Sequence, residues 1–243
     1  MSLDMREIGL TIHDVIDGDT TYLAEYLKIY TNYLPQYSRY VPVMQRRAAK
    51  PVDIYALERW HQWLVMYDEK PVAMIGFLYN RKRNLGILMD FAVVEDMRDF
   101  VIPGNGRFAG ELLFLAMEQL KHDAEEIGNP TPLCMAAEVE HTPLVERYTE
   151  YGFVEFPIEY YEPPGTPELA QLVETQDFES VGYRRLFLGA FQMPNTKLDP
   201  TDMQVVDIIL HALFEDHYQL PEEWWLFFRI EQSVELGELC DDK

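Results

Sequence analysis

The sequence is poor in cysteine and contains no long apolar run at its beginning. Its 243 residues include only two cysteines, Cys134 and Cys240. So few cysteines exclude a disulfide-rich scaffold and offer no metal-ligand spacing, which favours a reducing compartment and predicts no metal site. Charged side chains interrupt residues 1–14, which excludes the apolar core of a signal peptide or a membrane span there. We therefore expect a cytoplasmic protein without a membrane partner.

Basic side chains are also scarce. The chain has 20 Lys and Arg against 42 Asp and Glu, a formal net charge of −22. This balance argues against a nucleic-acid partner, because phosphate binding depends largely on Lys and Arg. The acidic surface would attract a cationic substrate, although a role in solubility alone explains the charge equally well. The 48% of hydrophobic residues is enough to build a core, so the chain is predicted to fold.

Hydrophobic periodicity predicts an α/β fold with a mixed sheet. The predicted strands are 7–13, 61–68, 72–80, 86–94, 133–139, 153–160 and 183–191. The predicted helices are 20–34, 53–60, 107–127, 143–151 and two more that begin near Asp199 and Pro221. Three successive strands imply an antiparallel meander, and the later helix between two strands implies parallel pairing.

The composition changes after Glu162. Prolines and acidic residues in 163–182 predict an insertion or linker, because they interrupt both periodic patterns. The sequence therefore predicts one domain over 1–191 and a C-terminal helical extension over 192–243. The extension carries a tryptophan cluster, for which packing within the monomer and a homodimer contact are both open interpretations.

A glycine-rich stretch precedes the long predicted helix. Residues 93–113 read VVEDMRDFVIPGNGRFAGELL, with glycines at 104, 106 and 110. A helix N-terminus offers unpaired N–H groups and positive potential, and glycine allows close approach to the backbone. The pattern therefore predicts a phosphate-binding loop. A surface turn closed by Pro103 and Gly104 is the simpler alternative.

A second segment, 141–153, reads HTPLVERYTEYGF. Together the two segments resemble the GNAT N-acetyltransferase superfamily over residues 60–161. Its loop motif is Q/R-x-x-G-x-G/A, and its later motif is N-x-x-A-x-x-x-Y-x-x-x-G-F. Tyr148, Gly152 and Phe153 fall in register with the second motif. The departures are Asn105 and Phe108 in the loop, and His141 and Leu144 at the start of the second motif.

The resemblance implies an acyl-CoA N-acyltransferase fold that binds acetyl-CoA as co-substrate. In this family, backbone groups at a strand end pair with the pantetheine arm, and loop N–H groups hold the pyrophosphate. The residues carried over to these roles are Ala92, Val93, Val94, Gly104, Asn105, Gly106, Arg107, Phe108, Ala109, Gly110 and His141. Tyr148 matches a general acid near the CoA sulfur, and its alternative role is packing in the helix-to-strand corner.

Direct transfer to an amine also needs a base. Asp90 and Glu138 are carboxylates in otherwise apolar strands, and Glu95 follows a strand end. A buried carboxylate needs a partner or a purpose, so each is a candidate base and each has an ion pair or solvent exposure as its alternative. The resulting hypothesis is acetyl transfer to a primary amine, either a small molecule or a peptide. A non-catalytic acyl-CoA-binding or protein-interaction module is the competing interpretation.

Early tyrosines form a series that could wall an acceptor pocket. They are Tyr26, Tyr30, Tyr33, Tyr37 and Tyr40. Ring faces of this kind can contact a cationic or apolar amine. Packing in the core is the alternative interpretation of the same series.

Overall fold

A computed structural model describes residues 9–16, 20–102, 106–163, 184–194 and 196–220. The chain divides into two compact units, Met1–Pro132 and Leu133–Lys243. The predicted domain boundary at 191/192 stays a prediction. Most of the predicted insertion at 163–182, the helix predicted near Pro221, Cys240 and the tryptophan cluster lie outside the described residues.

The first unit is a sheet with helices packed on both of its faces. In chain order its elements are β1 (Leu10–Asp14), α1 (Leu23–Tyr33), a 3-10 helix (Pro35–Tyr40), α2 (Val41–Ala48), β2 (Glu58–Tyr67), β3 (Lys70–Asn80), β4 (Leu85–Val93), a short 3-10 helix (Glu95–Met97) and α3 (Phe108–Glu126). The strands pair in the order β1-β2-β3-β4, and each pairing is antiparallel. The predicted antiparallel meander is therefore confirmed.

The two faces of this sheet bury different helices. On one face, Leu64, Met74 and Ala92 belong to a core cluster with Tyr26 and Tyr30 of α1. Successive strand residues point to opposite faces, so the adjacent positions contact the other side. There, core residues such as Val65, Ala73, Phe108 and Leu112 join the sheet to α3.

Helix boundaries follow local signals. Helix α1 ends at Tyr33 because Leu34 precedes Pro35, and the residue before a proline disfavours helical geometry. Helix α3 ends before Gly128, whose φ of +78° suits a glycine after a helix.

One predicted helix is wrong. No helix covers the described residues 53–60; instead Glu58 already begins β2, and the second helix lies earlier, at Val41–Ala48. The Asp53 side chain does accept a backbone bond, from Tyr55 N–H at 2.9 Å. That bond closes a local turn rather than a helix, because Asp side chains also stabilise turns.

The second unit contains the later strands and helices. Its elements are β5 (Cys134–Val139), α4 (Thr142–Thr149), β6 (Phe153–Glu155), β7 (Tyr160–Glu162), β8 (Arg184–Gln192), α5 (Met203–His211) and a π-helix (Ala212–His217). β5, β6 and β7 each pair antiparallel with β8. The strand predicted at 153–160 is thus two short strands. Asp202 begins α5 as predicted, with its carboxylate accepting from Gln204 N–H at 3.0 Å.

The order β-β-β-α-β-α-β predicted for the central part of the chain is confirmed, and the fold is α/β as expected. The predicted parallel pairing concerns strands of the two different units and stays a prediction. Among the helices that the structure describes, none is long and apolar enough to cross a bilayer.

Candidate functional site

A row of polar residues crosses one face of the first unit's sheet. Gly76 of β3 pairs with Gln62 of β2 on one side and with Asp90 of β4 on the other. Directly paired residues of an antiparallel sheet present their side chains to the same face, about 5 Å apart. Gln62 and Asp90 therefore flank a position that has no side chain.

Tyr26 of α1 lies over this gap. A Cβ atom placed on Gly76 would come within 3.1 Å of the Tyr26 hydroxyl oxygen and 3.4 Å of Asp90 Oδ2. A side chain at position 76 would thus displace the polar groups that meet there. We call Gln62, Gly76 and Asp90, with Tyr26 above them, the open row.

The open row contains buried polar atoms without partners. Among the described residues, neither the Tyr26 hydroxyl nor either polar atom of the Gln62 amide has a hydrogen-bond partner. Tyr26 is 0% exposed and Gln62 is 1% exposed. Burial and the nearby Asp90 charge raise the pKa of Tyr26 well above its ordinary value, so the phenol stays neutral. Most buried polar groups in proteins are hydrogen-bonded, so these three atoms are candidates for hydrogen bonds to water or to a polar ligand.

A β-bulge changes the direction of β4 next to the open row. Gly76 pairs with Asp90 while Phe77 pairs with Leu88, so one β4 residue between them has no partner in the ladder. Bulges twist a strand locally and are common beside active sites. The bulge sets the direction of Asp90, the carboxylate predicted as a base.

The backbone N–H groups at the end of β4 point to two different sides. Val94 N–H donates to Val72 O at 2.9 Å, so this predicted CoA contact is used within the sheet. Backbone groups alternate sides along an antiparallel strand, so Val93 N–H points away from β3. The Val93 carbonyl accepts from Arg98 Nε at 3.3 Å. Ala92, the third predicted residue here, is buried and pairs with Met74.

Two N–H groups of the glycine-rich loop already have acceptors. Gly106 N–H donates to Glu111 Oε1 at 3.0 Å, and Phe108 N–H donates to Phe100 O at 2.9 Å. Phe108 is fully buried, which explains how it stands at a usual glycine position: its ring fills the core instead of facing a ligand. Gly104 and Asn105 lie outside the described residues.

The N-terminus of α3 has further backbone N–H donors. The first four N–H groups of a helix have no acceptor within that helix. Ala109 and Gly110 occupy such positions because α3 begins at Phe108. Arg107 immediately precedes the helix, and its side chain is 43% exposed and lies 3.9 Å from Asp99. The phosphate-binding role of these residues stays a prediction, and the Glu111 carboxylate accepts one of the N–H groups that this role would use.

In the second unit, Tyr148 lies in an aromatic corner. Its ring centroid is 6.0 Å from that of Phe153 and 5.2 Å from that of Phe191. Gly152, with φ +88°, makes the turn that brings Phe153 back. Burial raises the pKa of Tyr148, so the phenol carries its proton at neutral pH. That is the form a general acid needs, and the acid role stays a prediction.

Glu138 is held by two phenols. Tyr160 donates to Glu138 Oε1, and Tyr218 donates to Oε2 at 2.6 Å. Burial raises the pKa of Glu138, while the phenol bonds act in the opposite direction. Glu138 thus connects β5 with β7 and with the residue after the π-helix. Its partners are neutral phenols, so it matches neither the ion pair nor the solvent exposure given as its alternative.

The other predicted residues have more ordinary surroundings. The His141 side chain is 73% exposed and lies 3.4 Å from Glu140, at the start of α4. Glu95 is exposed, and its N–H donates to the Tyr33 hydroxyl at 3.3 Å. Burial raises the pKa of the Cys134 thiol to about 12, which makes it unreactive as a nucleophile. Within the described ranges, no group of His, Cys, Asp and Glu side chains is arranged to hold a metal.

Three residues of this face were missed by sequence reasoning: Gln62, Gly76 and Arg47. A signal for the first two existed, because a glutamine and a glycine interrupt predicted apolar strands. Arg47 had no such signal, since the helix that carries it was not predicted.

No protein-family model matches the sequence, and no curated protein sequence matches it. Solved structures do match. One is a protein assigned to the GNAT acetyltransferases of Bacteroides thetaiotaomicron, at 14% identity and a TM-score of 0.45 over 84% of this chain and 97% of that chain. Another is a Bacillus subtilis acetyltransferase in complex with CoA, at 12% identity and a TM-score of 0.45 over 75% and 98% of the two chains.

A third is a spermidine N-acetyltransferase chimera made in part from the Vibrio cholerae protein, at 14% identity and a TM-score of 0.45 over 76% and 96% of the two chains. At these identities and TM-scores the likeness assigns no activity to this chain. Of these three matched proteins, the first is assigned to the GNAT family and the second is bound to CoA.

Proposed function

We propose that this protein is an acyl-CoA-dependent N-acyltransferase that transfers acetyl from acetyl-CoA to a primary amine by direct attack. The open row carries the proposal. It combines a carboxylate, Asp90, with buried polar atoms that have no partner among the described residues. A carboxylate can accept a proton, and the unpaired polar atoms can hydrogen-bond a polar substrate, so this group of atoms suits an amine that must lose a proton.

Val93 supports the placement of the thioester. It lies three residues after Asp90 on β4, which corresponds to about 10 Å along the strand. Its N–H points away from β3 and can polarise a carbonyl oxygen. Asp90 would accept the proton of the attacking amine. The general-acid role of Tyr148, a residue of the second unit, stays a separate prediction.

Calorimetry with acetyl-CoA tests the donor half of this proposal. We expect saturable heat and thermal stabilisation of the full chain, because a ligand that binds only the folded state stabilises it. Thiol release over a library of amines tests the acceptor half. No heat and no stabilisation at millimolar acetyl-CoA would refute the proposal.

A non-catalytic acyl-CoA-binding module is the second candidate, and a specific observation favours it. Two loop donors, Gly106 N–H and Phe108 N–H, already have acceptors in the chain. Saturable CoA binding together with thiol release no faster than in buffer, on every amine tried, would support this candidate over the enzyme.

A further inference from the structure

Helix α2 places a cation beside the open row. The Arg47 guanidinium carbon lies 3.2 Å from the centroid of the Trp60 ring. The Trp60 indole N–H donates to Glu58 Oε2 at 3.1 Å, which fixes the ring in its plane. Arg47 therefore makes a cation–π contact with an indole ring that Glu58 holds in place. This contact uses the face of the guanidinium and leaves its N–H groups available as donors.

The Arg47 guanidinium makes no hydrogen bond and no ion pair with a residue that the structure describes, although the backbone carbonyl of Arg47 accepts from Lys50 N–H at 3.1 Å. Arg59 in the same unit shows the contrast, because it lies 3.3 Å from Asp123 and also bonds Glu126. Burial lowers the pKa of Arg47 to about 10, so the group remains charged at neutral pH. A partly buried guanidinium gains from a ligand that accepts hydrogen bonds from its N–H groups.

The charges around Arg47 restrict what that ligand can be. Its electrostatic neighbours are Tyr26, Glu58, Asp90 and Tyr30. A purely cationic ligand would supply no negative charge to the guanidinium. A multiply charged phosphate would be repelled by the carboxylates of Glu58 and Asp90. A guest that carries one carboxylate and one ammonium group matches both signs.

We propose that Arg47 binds the carboxylate of the acceptor, and that the acceptor is an amino acid or a similar small molecule with both an amine and a carboxylate. This inference rests on the proposed acyl transfer. The acceptor ammonium would face Asp90, the Tyr26 hydroxyl and the Gln62 amide oxygen.

The transfer step balances with these groups. The ammonium gives one proton to Asp90, and the neutral nitrogen then forms a C–N bond with the thioester carbonyl carbon. The C–S bond breaks, and the second amine proton passes to the departing thiolate. The products are an N-acetylated amino acid, CoA thiol and one proton returned to solvent by Asp90.

Matched acceptor pairs test the inference on the full chain. Each α-amino acid of a set is compared with the amine that lacks only its carboxylate, for example leucine with isopentylamine, and kcat/KM is measured by thiol release. For the best pair we expect a ratio on the order of 10–100 in favour of the amino acid, as for a charge-assisted bond. Arg47→Gln reduces that ratio to near 1, while Arg46→Gln, an exposed neighbour on the same helix, keeps it.

The outcomes separate this inference from the proposed function. Equal turnover of both members of every pair, or a preference for polyamines, overturns the carboxylate site and leaves the acyltransferase in place. Absence of turnover on all acceptors refutes the acyltransferase. In that case calorimetry with the same amino acids decides. If the unaltered protein binds them and Arg47→Gln does not, the carboxylate site is supported; if the unaltered protein does not bind them, the site is overturned.

Discussion

Two neighbouring buried residues of β2, His61 and Gln62, differ in whether their polar side-chain atoms have hydrogen-bond partners. His61 faces α3, and both ring nitrogens have carboxylate partners, Asp14 Oδ2 at 2.7 Å and Asp123 Oδ2 at 2.8 Å. Gln62 faces α1, and no residue among those described satisfies its amide. We call Asp14, His61 and Asp123 the closed cluster, to set against the open row.

The closed cluster is built for stability. Gln119 also donates to Asp123 at 2.8 Å, and the His61 ring stacks on Phe77 with centroids 4.8 Å apart. The two carboxylates raise the pKa of His61 to about 9 against the opposing effect of burial. Hydrogen bonds to both ring nitrogens fit an imidazolium, which donates from both. Satisfied polar networks rigidify a structure, whereas an unsatisfied buried group needs a water molecule, an ion or a ligand to complete its hydrogen bonds.

The largest expected effect is on the closed cluster. Asp123→Asn removes one of the two carboxylates that pair with the buried His61 charge. Because breaking a buried ion pair costs about 3–5 kcal/mol, the free energy of unfolding should fall by that amount. Urea unfolding measures it, with Glu118→Gln on the same helix as the control. A loss below about 1 kcal/mol would show that the cluster contributes little.

The pH dependence of stability has a sign that follows from His61. Its folded pKa, about 9, lies above its ordinary 6.5, so its contribution is complete below pH 6.5 and is lost as pH rises to 9. The loss is on the order of 3 kcal/mol. The pKa of Asp14 is lowered from 3.8, so its contribution is lost in acid, as pH falls below that value. His61→Gln should flatten the alkaline side of the curve; an unchanged curve would contradict the assignment.

The open row should respond in the opposite way. Gln62→Leu replaces unsatisfied polar atoms with apolar ones of similar size, so stability stays the same or rises by about 1 kcal/mol. The acceptor KM rises because the amide no longer contacts the substrate. Urea unfolding and thiol release measure the two effects. A destabilisation of more than about 2 kcal/mol would mean that Gln62 is structural after all.

A smaller effect is expected at the glycine-rich loop. Glu111→Ala frees Gly106 N–H and removes a negative charge from the helix mouth, so acetyl-CoA should bind about 2–10-fold more tightly. Calorimetry measures the change, and Glu118→Ala removes the same charge two turns later as the control. Weaker binding in Glu111→Ala would instead make this carboxylate part of the CoA site.

The sequence predicted what depends on local pattern. The meander, α3 and the turn at Gly152 follow from apolar periodicity and from glycine conformations, which are properties of neighbouring residues. The second helix was misplaced because Asp53 suits a turn as well as a helix cap.

The candidate site was predicted only in part. Asp90 stood out as a carboxylate in an apolar strand. The pairing of Gly76 with Gln62 and the approach of Tyr26 depend on strand register and on how α1 packs, and neither can be read from one short segment. The loop shows the same limit, because the bond from Gly106 to Glu111 is made only after the helix forms.

The most direct test of the central claim is a single-turnover measurement of acetyl transfer by Asp90→Asn. With acetyl-CoA bound and the best acceptor in excess, the rate of thiol release should fall by about 100-fold or more, the usual contribution of a general base. Acetyl-CoA affinity should stay unchanged, and Glu125→Gln, an exposed carboxylate of α3, should behave as the unaltered protein. A rate equal to that of the unaltered protein would contradict the role of the open row in catalysis.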